Sequence, residues 1–299
     1  MKLRPYLEAG AQSFFAVCAG MATLSVLFIT LFVFIEGLPL FFTSVDGNTP
    51  PGLVGFLFGT DWYPIGSPPS YGIAPFIVSS LMVTAGALTI AVPVGVAVGV
   101  FIAEIAKGWP QRALRRGVEV LAGIPSVVYG FFGVMMIGFF LDRVPDPLVN
   151  YNAFSAMAIL AVMTLPTIVT ITEVSIRSVP SESRQASFAL GSTHWQTIWR
   201  VLIPGAKSGI ATGILLGTGR AVGETLAVLM VAGNQPTLPT DGVYSRVRTL
   251  TMAIINDMGY AAGDHRTALF TIAIVLFIFI LALNATAQTI MYRARKGDA

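Results

Sequence analysis

Two charged side chains, Arg220 and Glu224, interrupt the apolar stretch at residues 207–231. If this stretch crosses a membrane, each ionised side chain costs at least about 2.5–3.5 kcal/mol, so it should serve a purpose. A spacing of four residues would let the two side chains pair on one face of a helix. Arg220 could then present its forked positive charge to a passing anion while Glu224 holds the guanidinium in place. Alternatively, the pair merely locks two helices together.

Glycines recur at every fourth position of the same stretch, and one more follows between the two charges. At 100° per residue, the repeating glycines and the two charges fall within a stripe about 80° wide. Glycines with this spacing let another helix approach closely, which turns the stripe toward the protein interior rather than toward lipid. The predicted packing glycines are Gly209, Gly213, Gly217 and Gly223.

A proline interrupts another apolar stretch, at residues 117–141. Pro125 has no N–H to donate, which leaves the carbonyl of Leu121 without its helical partner and predicts a break. Irregular backbone in a membrane is tolerated only where protein or a water-filled cavity surrounds it. Ser126 could therefore offer its hydroxyl to a substrate, although a packing kink is an equally good interpretation. Pro166 predicts a second kink in the next apolar stretch.

The composition places these stretches in a membrane protein. Of the 299 residues, 55% are hydrophobic and 11% are charged, and the mean hydropathy is +0.76, whereas a soluble domain has roughly 25% charged residues. Six stretches are long enough to cross about 30 Å of hydrocarbon as helices. They are residues 12–35, 72–103, 117–141, 153–176, 207–231 and 267–291. We predict an all-α integral membrane protein with a single domain over residues 1–299 and an outer segment at 36–71.

Lysines and arginines predict the orientation of the chain. With both termini inside, the cytoplasmic segments hold thirteen of them and the outer segments hold four. This bias places the termini and residues 178–206 in the cytoplasm of a multi-pass protein of the cell inner membrane, in contact with lipid. The net charge of +3 therefore reflects topology and does not indicate a nucleic-acid partner.

The residue types give little support for a disulfide, a metal site or an enzyme active site. A single cysteine excludes an intrachain disulfide and a cysteine metal cluster. His194 and His265 would lie on opposite sides of the membrane, so we predict no metal site. The sequence has no Gly-x4-Gly-Lys-Ser/Thr phosphate loop, so the chain cannot hydrolyse ATP by itself. It also lacks the residue pairs of an intramembrane protease, and we predict that it is not an enzyme.

Residues 178–206 form a polar but structured segment between two apolar ones, and we call them the docking segment. Ser181 can cap a first short helix, and Gly191 is a natural end for it. Thr193 and Gln196 match a capping box for a second helix with apolar residues at helical spacing. A plain connection needs only a few polar residues. We interpret the segment as a knob that docks on a cytoplasmic partner, with a lone pair of interfacial helices as the alternative.

The docking segment resembles the cytoplasmic signature of ABC importer permeases. That signature consists of Glu-Ala-Ala, three residues, Gly, nine residues and then Ile-x-Leu-Pro, and here Gln185 replaces the Glu and Ser187 replaces the second Ala. The resemblance implies that the segment fits a cytoplasmic ATPase, with small residues such as Ala186, Ser187 and Ala189 allowing a close grip. The residues assigned to this coupling are Arg184, Gln185, Ala186, Ser187, Gly191 and Pro204.

Residues 122–133 together with residues 219–225 are similar to the paired permeases of the phosphate-specific ABC importer. Residues 226–234 and 248–260 are closer to its C-type permease than to its A-type. The resemblance implies a six-helix, type I permease that imports inorganic phosphate by alternating access. It also implies a second homologous permease, a cytoplasmic ATPase dimer that carries ATP and Mg, and a periplasmic phosphate-binding protein, with no cofactor in this chain.

Two other transport functions fit the same sequence features. A sister ABC importer for sulfate or molybdate would differ in pocket size, which sequence does not measure. An ion-coupled secondary transporter could use Arg220 and Glu224 as a relay, and it would be insensitive to the loss of ATPase partners.

Overall fold

The computed structural model describes residues 4–42, 51–141 and 151–296, and helices dominate it. Residues 43–50 of the predicted outer segment and residues 142–150, which include Arg143, lie outside the described residues. Four helices are long and apolar enough to cross a membrane singly, and two bent helix pairs bring the number to six if each pair is one span. The single spans are Ala11–Phe41, Ala74–Ile105, Ala153–Arg177 and Gly263–Thr286, close to the predicted boundaries.

The structure contains thirteen α-helices within the described residues. They are α1 (Arg4–Gly37), α2 (Leu53–Phe58), α3 (Ala74–Val100), α4 (Trp109–Gly123), α5 (Ser126–Leu141), α6 (Ala153–Arg177), α7 (Ser181–Ala189), α8 (His194–Thr197), α9 (Ile203–Gly205), α10 (Lys207–Gly223), α11 (Leu226–Val231), α12 (Leu250–Met258) and α13 (Gly263–Lys296). Two π-helical turns, Phe101–Ile105 and Ile198–Leu202, extend α3 and join α8 to α9. Strands β1 (Trp62–Tyr63) and β2 (Ser70–Tyr71) pair antiparallel.

Helix α6 is the centre of the bundle, because both α3 and α10 pack closely against it. A Cβ atom at Gly95 of α3 would lie 2.8 Å from Ile168 Cγ2, and one at Gly99 would lie 2.7 Å from Thr172 Cβ. Side chains larger than glycine would therefore push α3 away from α6. Pro166 lies inside α6, which continues as one helix from Ala153 to Arg177.

The third predicted span, residues 117–141, is broken near Pro125, where the sequence predicts a break. Helix α4 ends at Gly123, Ile124 is extended, and α5 leaves at an angle of 100° to α4. The two helices are long and apolar enough for a membrane span only when they are taken together. The carbonyl of Leu121, which lacks the N–H of Pro125, accepts a hydrogen bond from the hydroxyl of Tyr129 at 2.7 Å. This bond bridges the break.

The fifth predicted span, residues 207–231, is also interrupted. Helix α10 ends at Gly223, and Glu224 has the extended backbone conformation φ −73°, ψ 130°. Glycine is among the weakest helix formers, so Gly223 favours the end of the helix at this position. The side chain of Glu224 accepts a hydrogen bond from the N–H of Ala227 at 3.2 Å. That bond satisfies a free donor at the start of α11.

A buried carboxylate, Asp257, joins helix α12 to strand β1. It accepts hydrogen bonds from the indole N–H of Trp62 at 3.1 Å and from the hydroxyl of Tyr260 at 2.7 Å, and it pairs with Arg248 at 3.4 Å. Burial alone would raise the pKa of Asp257. Hydrogen bonds from Asn256 and Tyr260 and the charge of Arg248 nevertheless hold that pKa below its ordinary value.

Replacing Asp257 with asparagine should destabilise the protein by about 3–5 kcal/mol, because it leaves the buried guanidinium of Arg248 without a counter-ion. The thermal unfolding midpoint of the purified protein in detergent measures this loss. Asp241→Asn is the control, since Asp241 is exposed in the connection between α11 and α12. An unchanged midpoint for Asp257→Asn would contradict the assignment of this carboxylate as a structural tie.

The same carboxylate predicts a dependence of stability on pH. Because its folded-state pKa is depressed, its stabilisation is present above the ordinary carboxyl pKa and is lost as the pH falls through the lower folded value. Acidification below about pH 4 should therefore lower the midpoint of the wild-type protein more than that of Asp257→Asn.

Candidate functional site

Arg220 lies in the last turn of α10, where the partial negative charge of a helix C-terminus favours a cation. Its side chain is exposed within the single chain. The predicted pairing with Glu224 is wrong: α10 ends at Gly223, so the i, i+4 geometry is not formed, and in the described part of the chain no ion pair engages Arg220.

Glu224 has a different role from the one predicted. Besides capping α11 through its carboxylate, it accepts a hydrogen bond from the hydroxyl of Thr251 through its backbone carbonyl at 3.3 Å. Glu224 thus ties the break between α10 and α11 to helix α12. It fixes the backbone that carries Arg220 without neutralising the arginine.

The two broken spans meet near Arg220. Tyr129, the residue that bridges the break before α5, lies in a buried cluster with Ala227 of α11. Helix α5 packs against α11, and a Cβ atom at Gly130 would lie 3.0 Å from the Cα of Ala227. Ser126 is the first residue of α5, half-buried and one turn before Tyr129. Sequence reasoning missed Tyr129, although its offset of eight residues from Leu121 suits a bond across the break.

The glycines of α10 lie against α6. Gly209 is directly opposite Ser175, and a Cβ atom at Gly213 would lie 3.0 Å from Ile171 Cβ. A Cβ atom at Gly217 would lie 3.0 Å from Ile168 Cγ1. Gly223 was wrongly grouped with these residues: a Cβ atom there would meet nothing within 4 Å, because this glycine ends the helix rather than packing it.

The docking segment folds as two short helices joined at a glycine. Gly191 has φ +82°, a left-handed conformation that glycine adopts readily. The capping box formed by Thr193 and Gln196 is confirmed, with both reciprocal hydrogen bonds present. The cap of α7 differs from the prediction: Pro180 is the N-cap residue and Ser181 is already helical. Pro204 lies in α9, just before the 67° bend into α10.

The side chains of the docking segment divide into an outward and an inward group. Gln185, Ala186 and Ala189 are exposed. Ser187 is buried and shares a 2.9 Å hydrogen bond with Thr197, so it holds the two helices together and does not face a partner. The prediction that Ser187 belongs to the surface that a partner contacts is therefore wrong.

Sequence reasoning missed the most exposed apolar side chain of the docking segment. Leu190 is 87% exposed and stands at the tip of the turn beside Phe188, which is 42% exposed. Both residues interrupt a polar run, a signal that could have identified them. An exposed apolar pair at a projecting turn is typical of a contact surface.

Two buried carboxylates hold the inner ends of the helices, and neither was singled out from the sequence. Glu104 pairs with Arg184 at 2.5 Å, so Arg184 points toward the bundle rather than outward. Glu173 pairs with Arg115 and, at 3.0 Å, with Arg177. Within residues 4–42, 51–141 and 151–296, no group of histidine, cysteine, aspartate and glutamate side chains is arranged to hold a metal ion.

Comparisons with known proteins give consistent results. The family described as binding-protein-dependent transport system inner membrane component matches residues 95–296. The probable ABC transporter permease protein YqgH of Bacillus subtilis is 37% identical over 284 residues, 93% of this chain and 90% of the relative. The phosphate transport system permease protein PstC of Pasteurella multocida is 31% identical over 278 residues, 87% of this chain and 86% of the relative.

A solved structure with the same fold comes from a bacterial ABC transporter involved in import of the acidic polysaccharide alginate. One of its chains superimposes with a TM-score of 0.66 at 14% identity, covering 97% of this chain and 99% of that chain. At this identity the likeness concerns the fold alone.

Proposed function

The chain belongs to the family of binding-protein-dependent transport system inner membrane components, and we propose that it is the permease subunit of an ATP-driven importer of inorganic phosphate. Its similarity to PstC phosphate permeases over most of its length supports the substrate. The observation that carries the proposal is Arg220, an arginine at the end of a membrane helix with no ion-pair partner among the described residues.

The chemistry of Arg220 suits a phosphate ion. A guanidinium presents parallel N–H donors that match two phosphate oxygens. Because Glu224 caps α11 instead of pairing with Arg220, no carboxylate among the described residues neutralises the positive charge. A single arginine also limits how tightly an anion is held, which permits release on the other side. Ser126, half-buried at the start of α5, can supply a hydroxyl group.

We further propose an orientation and a set of partners. The termini and the docking segment face the cytoplasm, as the distribution of lysines and arginines favours. A cytoplasmic ATPase dimer, which binds ATP and Mg, docks on the surface around Leu190 and Gln185. A second, A-type permease completes the pathway, and a periplasmic phosphate-binding protein delivers the ion from outside. The exposed apolar turn at Leu190 supports the ATPase contact.

The mechanism is alternating access. When ATP closes the ATPase dimer, the docking segment moves with it, and the bundle around α6 exchanges an outward opening for an inward one. The close packing of α3 and α10 on α6 supports this, since tightly packed helices move as units.

The test is uptake of labelled phosphate, with sulfate as competitor, in cells deleted for this chain and in cells that receive it back. We expect uptake to return only with the chain, to require ATP, and to be unaffected by excess sulfate. Equal uptake with and without the chain, in cells that lack any other phosphate system, would overturn the substrate assignment. Competition by sulfate would instead indicate a broader oxyanion importer.

A further inference from the structure

The inner end of α3 is a π-helical turn, Phe101–Ile105, that ties three parts of the molecule together. In this turn the N–H of Ala106 bonds to the carbonyl five residues earlier at 2.8 Å. The carbonyl of Ile102 therefore lacks its usual helical donor. It accepts side-chain hydrogen bonds from Gln111 of α4 at 2.8 Å and from Arg177 of α6 at 3.2 Å.

The same turn carries Glu104, whose side chain is 4% exposed. One carboxylate oxygen accepts a hydrogen bond from Arg184 of α7 at 2.5 Å, and the other lies 3.9 Å from Nε2 of His194 at the start of α8. A single buried carboxylate thus contacts both helices of the docking segment.

The contact between Glu104 and α7 differs in kind from the other contacts that attach the docking segment to the membrane-spanning helices. Ile198 and Leu202 pack apolar surface against Val100 and Ile176, and such contacts are non-directional. Among the described residues, Arg184 makes the one hydrogen bond that joins α7 directly to a membrane-spanning helix. A buried, charged hydrogen bond fixes both distance and direction.

A continuous series of close contacts leads from this turn to Arg220. On α3, Gly99 lies against Thr172 and Gly95 lies against Ile168 of α6. Gly217 of α10 lies against the same Ile168, one turn before Arg220. Since such packing cannot be compressed, a displacement of the end of α3 must shift α6 and α10.

We propose that Glu104 is a positioning residue that couples movement of the docking segment to the membrane helices through its bond with Arg184. The inference rests on the proposed function, since it concerns the link between ATP hydrolysis and transport. With the carboxylate, a pull on α7 is transmitted to the π turn and to α3. Without it, α7 and α8 follow the ATPase while α3 stays behind, and ATP is hydrolysed without transport.

The experiment measures phosphate uptake and ATP hydrolysis in the same proteoliposomes, which contain the whole complex purified through a tag on this chain. For Glu104→Gln we expect the complex to assemble and to hydrolyse ATP within about twofold of wild type. Phosphate transported per ATP should fall about 10-fold, within the roughly 5- to 150-fold range typical of coupling between sites. Glu119→Gln is the matched control, because it makes the same chemical change at an exposed carboxylate of α4, outside the docking segment, and it should leave the ratio unchanged.

Substitutions of the partner separate coupling from folding. Arg184→Gln should lower the ratio as Glu104→Gln does, whereas Arg184→Lys keeps the charge and should restore most of it. Because the Arg184 side chain is 35% exposed, these variants should fold even if Glu104→Gln does not accumulate in the membrane, and they then decide the question.

Different results would overturn the proposed function and the role of Glu104. A wild-type complex without ATP-dependent phosphate uptake would overturn the proposed function. A wild-type complex that transports phosphate, together with an Arg184→Gln complex of unchanged ratio, would overturn the role of Glu104 alone.

Discussion

Replacing Arg220 with glutamine is expected to lower ATP-dependent phosphate uptake about 100-fold while the protein accumulates normally. Each hydrogen bond to a charged group contributes about 1.5–3 kcal/mol, so losing the two bonds of a guanidinium fork corresponds to roughly 100-fold or more. Arg220 is exposed and makes no ion pair with another described residue, so its loss should leave the fold intact. Initial rates of labelled phosphate uptake, normalised to membrane-bound protein, measure the effect.

Two further substitutions distinguish anion binding from a structural role. Arg220→Lys keeps the charge but loses the fork, and we expect uptake between wild type and Arg220→Gln. Gly219→Ala changes the neighbouring residue, where a Cβ atom would meet open space, and should leave uptake unaltered. Wild-type uptake by Arg220→Gln at equal protein level would refute the proposal that this charge handles the anion.

Replacing Leu190 with aspartate should abolish binding of the ATPase. Burying a leucine side chain contributes about 1.5–3 kcal/mol, and an unpaired carboxylate in the same contact adds a desolvation cost of several kcal/mol. We therefore expect the affinity to fall by more than about 100-fold. Co-purification of the ATPase with the tagged chain, measured at equal permease level, reports the change, and phosphate uptake should be lost with it.

The control for this prediction lies on the other side of the membrane in the proposed orientation. Leu238 is 39% exposed in the connection between α11 and α12, and Leu238→Asp should leave ATPase binding unchanged. Because Leu190 and Leu238 are both exposed, neither substitution should prevent folding. Normal recovery of the ATPase with Leu190→Asp would show that the docking surface lies elsewhere.

Features that depend on a short stretch of chain could be read from the sequence. The apolar stretches at 72–103 and 153–176 became the helices Ala74–Ile105 and Ala153–Arg177, because the length and hydropathy of a segment decide whether it spans a membrane. The all-α membrane fold is confirmed. The capping box at Thr193 was equally predictable, since its hydrogen bonds join residues three apart.

Features that depend on distant residues could not be read in this way. A helical spacing of four predicted that Arg220 and Glu224 would pair, but Glu224 bonds instead to Ala227 and, through its carbonyl, to Thr251, 27 residues away. Ser187 appeared to be a small surface residue because its bond to Thr197 forms only when the two helices fold onto each other. In both cases the prediction considered only neighbours in the sequence, whereas the residue also bonds to a residue on another helix.

By itself, the sequence determined which segments enter the membrane and where the docking segment turns, since hydrophobic length, proline and glycine act within a few residues. Only the tertiary structure decided the partner of each charge. Arg184 and Glu104 are 80 residues apart in the chain and meet because α3 ends in a π turn beneath α7. Among the described residues, Arg220 has no ion-pair partner, because the backbone breaks at Gly223 and turns the carboxylate of Glu224 toward α11.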